Sequence, residues 1–291
     1  MVTRILSMAL GSVVSLSLVV WGGPARATPQ EPAQAATKEP SEKAAAGPES
    51  PADAEPVIYG NRSKFFDRTP PALRPDPDWR SAFGEDLADA EPQWSQGFEE
   101  LIIRDYFGDR KGGVFLDVGC SEPRSNSTTY YLENELGWTG IGIDASPWLA
   151  NAWAKHRPNS KFVSHAVTDV DGEQVTFYIG FVSALDEEAL EPFGGKMREI
   201  EVTTMTLDTL LEENGVEELD FLSMDIEGAE PAALEGFDIE RYRPELACIE
   251  ATKESAVTEY FLSHGYELIE KYRKADRINL YFRPSSKLPP R

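Results

Sequence analysis

The sequence predicts an α/β domain on a mainly parallel sheet, with an antiparallel strand added near the C-terminus. Three observations predict it. Short continuous apolar runs alternate with helical segments between Val114 and Phe282. Three of these runs end in a carboxylate beside a small or turn residue: "FLDVG" (115–119), "GIGIDAS" (140–146) and "LDFLSMDIEG" (219–228). Two closing runs, "YELIEKY" (266–272) and "RINLYFR" (277–283), lie close enough in sequence to pair antiparallel.

Taken in order, residues 1–27 differ from the rest. Arg4 precedes the weakly apolar run "ILSMALGSVVSLSLVVW", and "GGPARA" follows with an A-x-A site at Ala25–Ala27. This is the pattern of a secretory signal peptide, with an uncleaved N-terminal membrane anchor as the alternative. A cleaved signal implies a periplasmic or extracellular protein. Residues 28–56 are rich in Pro, Ala, Glu and Lys and read as a disordered spacer. Residues 57–93 form a proline-punctuated, extended lead-in, 94–284 the folded domain and 285–291 a tail.

Within the domain, "VFLDVG" (114–119) is a buried strand and 127–137 a helix stopped by Gly137. A strand at 139–146 is followed by a helix at 147–156 with Pro147 in its first turn, then by a third strand at 161–167. "DVDGEQVTFYIG" (169–180) combines a D-G turn with an alternating strand. Residues 181–198 read as a surface loop, 199–215 as strand then helix, 219–225 as a strand, and "PAALEGF" as a short helix. A strand at 245–251 and an amphipathic helix at 254–265 precede the closing pair. Trp138, Trp148 and Trp153 read as core.

Composition narrows the partners. The 291 residues carry a formal net charge of -22, which excludes nucleic acid bound through its phosphates and docking on an anionic membrane surface. The two cysteines, Cys120 and Cys248, read as buried free thiols.

Ligands of open parallel sheets bind beyond the carboxyl ends of the strands, near the point where strand order reverses. Asp117, Gly119, Asp144, Asp225, Glu227 and Glu250 all fall at such ends. A dinucleotide is disfavoured because Gly119 is followed by "CSEPRSN", with no second glycine and with Pro123 removing a donor. An acidic rim suits a cationic ligand with a ribose and no phosphate, such as S-adenosylmethionine. Asp144 would accept the ribose hydroxyls and Asp117 would hold the ammonium, directly or through water. Gly119 would let the backbone approach the ligand. Asp144 as a helix cap and Asp169 as a turn residue are the bland alternatives.

The ordered set "FLDVGCSEPRSNSTTYYLENELGWTGIGIDASP", "AVTDVDGEQVTF", "LDFLSMDIEGAEPAALEGFD", "YRPELACIE" and "DRINLYF" resembles the FkbM-type methyltransferase family over 94–283. The resemblance implies a Rossmann-like class I fold with a seven-stranded sheet, S-adenosylmethionine as cofactor, and O-methylation of a sugar or other small hydroxylated acceptor. It puts Asp117, Gly119 and Asn126 in the first cofactor loop, Asp144 at the ribose and Asp169 near the adenine. Asp225 and Glu227 fall in the segment facing the methionine end and acceptor. Cys120-Ser121-Glu122 departs from the small or Asn-containing loop common in relatives. A hydroxyl acceptor needs a base, for which Asp225 comes first, with Glu227 or His165 as alternates. Mg²⁺ between Asp225 and Glu250 would suit carboxylates, but the sequence holds no decisive ligand cluster and no metal is assigned. An exported binding protein that keeps the fold without turnover, and a glycan hydrolase using paired carboxylates, are the rival readings. With the usual methyltransferase strand order, the fourth strand separates Cys120 from Cys248 and precludes a disulfide.

Overall fold

The computed structural model describes residues 69–180, 183–186, 198–250 and 252–286. The proposed signal or anchor, the spacer, the first part of the lead-in and nearly all of the tail lie outside the described residues. No described helix is long and apolar enough to cross a membrane.

In chain order the elements are α1 (Glu99–Phe107), β1 (Val114–Val118), α2 (Tyr130–Leu136), β2 (Thr139–Ile143), α3 (Ala150–His156), β3 (Ser160–Val163), β4 (Ala166–Val167), β5 (Gln174–Ile179), β6 (Ser183–Ala184) and β7 (Arg198–Met205). They continue with α4 (Leu207–Glu213), β8 (Phe221–Met224), α5 (Glu230–Glu235), α6 (Ile239–Tyr242), β9 (Leu246–Glu250), α7 (Glu254–Ser263), β10 (Tyr266–Leu268) and β11 (Asn279–Pro284). Local chemistry sets several boundaries. Gly108 and Gly137 end α1 and α2 in the left-handed conformation, and the Thr206 and Asp238 side chains cap the starts of α4 and α6.

Seven strands form the main sheet in the order β10-β11-β9-β8-β1-β2-β3. β3, β2, β1, β8 and β9 run parallel, and β11 lies antiparallel between β9 and β10. This is the expected Rossmann-like class I methyltransferase topology. The chain builds outward from β1 through β2 and β3, then returns to β1's other side with β8. The order reverses between β1 and β8, so a crevice opens at their carboxyl ends.

Side-chain alternation along each strand feeds a separate core on each face. Leu116, Leu222, Ala247 and Ile249 pack with α4, α5 and α7 on one side. Phe115, Phe221, Leu246 and Cys248 pack with α1, α2 and Trp138 on the other. That second core also takes in Ala82 and Phe83 of the lead-in, whose described part makes short 3-10 turns at Pro71–Leu73 and Trp79–Ala82 rather than staying extended. Trp79 lies 4.2 Å from Phe98, ring centre to ring centre.

Four expectations are corrected. The strand expected at 161–167 is two strands: β3 ends at Val163, and β4 joins a second, four-stranded sheet in the order β4-β7-β5-β6. Within 181–198, Ser183–Ala184 is strand, paired with β5, and Arg198 opens β7; 181–182 and 187–197 lie outside the described residues. "YELIEKY" is strand only to Leu268 and then a 3-10 turn, Glu270–Lys274. Trp138 and Trp153 are core, but Trp148 is 37% exposed, under the Arg198 guanidinium. The thiols behave as expected: Asp117 pairs with Ser223 and Ser223 with Cys248, so β8 separates the two cysteines, which are free and buried.

Candidate active site

The carboxyl ends of β1 and β8 meet so closely that only glycine fits. Gly119 has φ +77°, and a Cβ there would sit 1.9 Å from the Asp225 carbonyl oxygen. The Asp225 N–H donates to the Val118 carbonyl at 3.0 Å. Gly119 is therefore demanded first by the protein's own backbone, a reason beyond the ligand approach expected from sequence.

Asp117, on β1, is 4% exposed, so it lies beneath the loop that follows rather than on the open rim. It accepts from the Thr129 hydroxyl at 2.6 Å. Burial raises its carboxyl to about 6, against the pull of Thr129 and Arg157. Asn126 stands exposed in that loop with φ +56°, a conformation Asn tolerates better than most residues.

Asp144 ends β2. Its Oδ2 accepts from the Ser121 N–H at 3.1 Å and its Oδ1 from the Ser146 N–H at 2.8 Å. Asp144 thus ties the first loop to the turn before α3. Ser146 precedes that turn but makes no side-chain cap. The Ser146 hydroxyl also bonds this carboxylate, which keeps acceptor capacity for a ligand hydroxyl. Burial raises this carboxyl as well.

The turn after β8 and the end of β9 bring three acids together. One oxygen from each of Asp225, Glu227 and Glu250 lies within 4.8 Å of the others. Glu227 adopts φ +54° to reach this position. The amides of this turn are held by Glu230, fully buried, whose Oε1 accepts from the Ile226 and Gly228 N–H groups. The second oxygen of Glu230 and Oε2 of Glu250 are buried without a protein partner.

Crowded carboxylates resist ionisation. Desolvation, then the charges of Glu227, Glu230, Glu99 and Asp117, raise Asp225 to about 8, although its side chain still reaches solvent. Desolvation, then Asp225, Glu227 and Glu230, raise Glu250 to about 9. Glu99 at the start of α1 is raised to about 7 by burial and Asp276. Three carboxylates so placed could share protons or bridge a cation. The donor set suits a positively charged group: such a ligand would relieve the repulsion and give the orphaned oxygens an electrostatic partner.

The structure thus gathers Asp117, Gly119, Asp144, Asp225 and Glu227 along one edge of the main sheet. Asp169 does not share it. It is exposed on the turn after β4, in the second sheet. Its neighbour Asp171 holds that turn, accepting from the Thr206 N–H at 2.7 Å and the Thr209 hydroxyl at 2.8 Å. His165 follows β3 with its Nδ1 buried and unpartnered. Sequence reasoning missed Glu99, whose helix could have been found from "EELIIRDYF" closed by Gly108.

A doubly wound sheet with this strand order, and an acidic crevice at its reversal, defines a class I methyltransferase architecture. Residues 117–268 match the methyltransferase FkbM domain, and the chain belongs to that family. No curated protein matches the sequence. Similar solved structures include a TehB-like SAM-dependent methyltransferase from Corynebacterium glutamicum, 15% identical with TM-score 0.37, covering 72% of this chain and 95% of that one. A precorrin-6y C5,15-methyltransferase from Geobacter metallireducens is 13% identical with TM-score 0.39, covering 75% of this chain and all of that one.

Proposed function

We propose that this protein is an S-adenosylmethionine-dependent O-methyltransferase acting on a sugar or another small hydroxylated acceptor. The observation that carries the reading is the convergence of Asp117, Asp144 and the Asp225–Glu227–Glu250 group on one crevice, with carboxyls held above their usual range by desolvation and, in the three-acid group, by one another's charge. When bound, the cofactor supplies a methyl group on a cationic sulfur.

The chain's own residues do the rest. Asp144 accepts the ribose hydroxyls, and Asp117 holds the ammonium, directly or through water. Asp225 takes the proton from the acceptor hydroxyl. A base raised to about 8 sits close to working pH, where it gains proton affinity while a useful fraction stays ionised. Desolvation and the charges of Glu227 and Glu230 keep it there. In-line transfer also needs alignment and a dry site.

The test is calorimetry of wild type with S-adenosylmethionine, followed by transfer of a labelled methyl group to a panel of monosaccharides and small alcohols. No binding by folded protein overturns the cofactor assignment. Binding without transfer to any hydroxyl, while an amine or thiol is methylated, overturns the O-specific part. Export rests on residues 1–27; a mature N-terminus at Thr28 supports cleavage, and an intact Met1 in the membrane fraction supports an anchor.

A further inference from the structure

A buried charge chain that the transfer reaction does not itself use ends on Asp117. Arg157, immediately after α3, is 1% exposed. Its Nε donates to Glu133 Oε2 of α2 at 2.6 Å, and Glu133 also accepts from the Asn159 N–H at 2.9 Å. Nη1 donates to the Pro123 carbonyl at 3.2 Å and to the Ser127 hydroxyl at 3.4 Å, both in the loop after β1. Nη2 donates to the Thr129 hydroxyl at 3.0 Å, and Thr129 donates to Asp117 Oδ2 at 2.6 Å. One guanidinium therefore holds the loop at three points, and the Trp153 Nε1–H holds it at a fourth, the Ser121 carbonyl, at 2.8 Å.

The directions of these bonds are forced. A guanidinium only donates, so the Thr129 oxygen must spend a lone pair on Arg157. The single hydroxyl proton then has to point at Asp117, and a donor aimed at a carboxylate favours its ionised form. The charged groups around Asp117 oppose one another: Arg157 favours its charge, while Asp144 disfavours it. The Ser223 hydroxyl of β8 adds a second favourable contact. Thr129 is fully buried, so water cannot replace its proton.

We propose that Thr129 is a positioning residue: through it the Arg157–Glu133 pair orients and charges the Asp117 carboxylate that receives the cofactor's ammonium group. The inference rests on the S-adenosylmethionine reading above and adds a control to it. Arg157 sets the loop, and Thr129 transmits its charge to the binding group.

The test uses the full chain and two ligands: S-adenosylmethionine, and 5′-methylthioadenosine, which keeps the adenosine and sulfur but has no ammonium. Thr129→Val removes the relay at nearly constant shape. Its affinity for S-adenosylmethionine should fall about 10-fold, the loss of one charge-assisted bond, while its affinity for methylthioadenosine stays within about 2-fold. Thr129→Ser, which keeps the hydroxyl, should restore wild-type behaviour. Equal losses for both ligands would mean that the loop merely collapses, and would overturn the proposal. So would an unchanged Thr129→Val. Should that variant not fold, Arg157→Lys decides by the same two-ligand comparison, because it keeps the charge and loses the fork. A folded wild type that binds neither ligand overturns the cofactor reading and this inference with it; a wild type that binds both, beside an insensitive variant, overturns this inference alone.

Discussion

Gly119→Ala is the sharpest perturbation the crevice allows. The added methyl group would lie 1.9 Å from the Asp225 carbonyl oxygen, and backbone cannot swing aside as a side chain can. Overpacking of this kind costs about 1–3 kcal/mol. The residue must also hold φ +77°, which costs a residue with a Cβ about 1–2 kcal/mol. The sum is about 2–5 kcal/mol. For a domain of this size it should lower the melting temperature by about 4–20 °C. Gly137 supplies the control. It has φ +69°, and a methyl group added there would meet nothing within 4 Å, so Gly137→Ala carries the conformational cost alone. Urea unfolding of the two variants beside wild type isolates the backbone contact as their difference, about 1–3 kcal/mol. If Gly119→Ala is no more destabilising than Gly137→Ala, the ends of β1 and β8 do not meet as described.

Further outcomes follow from the same site. Asp225→Asn should keep cofactor affinity within a few-fold and abolish transfer, whereas retained turnover would remove Asp225 as the base. In wild type the transfer rate should rise with pH and level off above about 8, as the base loses its proton. Stability runs the other way. Carboxyls raised to about 8 and 9 bind more protons folded than unfolded, so their stabilisation is complete below their unfolded values and is lost as pH rises through the folded ones. Melting temperature of the ligand-free protein should therefore decline from about pH 5 to about pH 9, and a flat profile would count against the crowding. Asp144→Asn should weaken S-adenosylmethionine binding about 10-fold and also lower the melting temperature, because Asp144 holds the Ser121 and Ser146 amides. Neither Cys120 nor Cys248 should react with a thiol reagent before unfolding; fast labelling of either would place it at the surface.

The main sheet was legible because its strands are short, apolar and closed by recognisable turns. "FLDVG" and "LDFLSMD" needed no tertiary context to be read as strands ending in acids at a rim. The split after Val163 was not legible, since the two polar residues Ser164 and His165 give no turn signal and the change of sheet depends on where β7 lies. Asp117 and Asp225 could be named from their strand ends. Their different situations could not: one lies beneath a loop, the other in contact with water. Glu230 was missed as the cap of its own turn because Glu227 and Glu230 look alike in "DIEGAE", and only the backbone conformation tells them apart. Arg157 lies far from Asp117 in sequence and carries no motif, and nothing in the loop that holds Thr129 marks which hydroxyl turns back to Asp117. Trp148 was read as core from its aromatic type alone, although it sits on a turn that faces outward.

The insertion of β11 between β9 and β10 bears on how the polypeptide is made. During synthesis β9 and β10 both emerge before the strand that must join them. Until β11 arrives, β9 presents an unpaired edge of buried, apolar sequence, "LACIE", with its hydrogen-bonding groups open. Such an edge is a template for pairing with another nascent chain. Translation that stalls between Leu268 and Asn279 would therefore release an aggregation-prone species, even though every residue of the acidic crevice has by then been made.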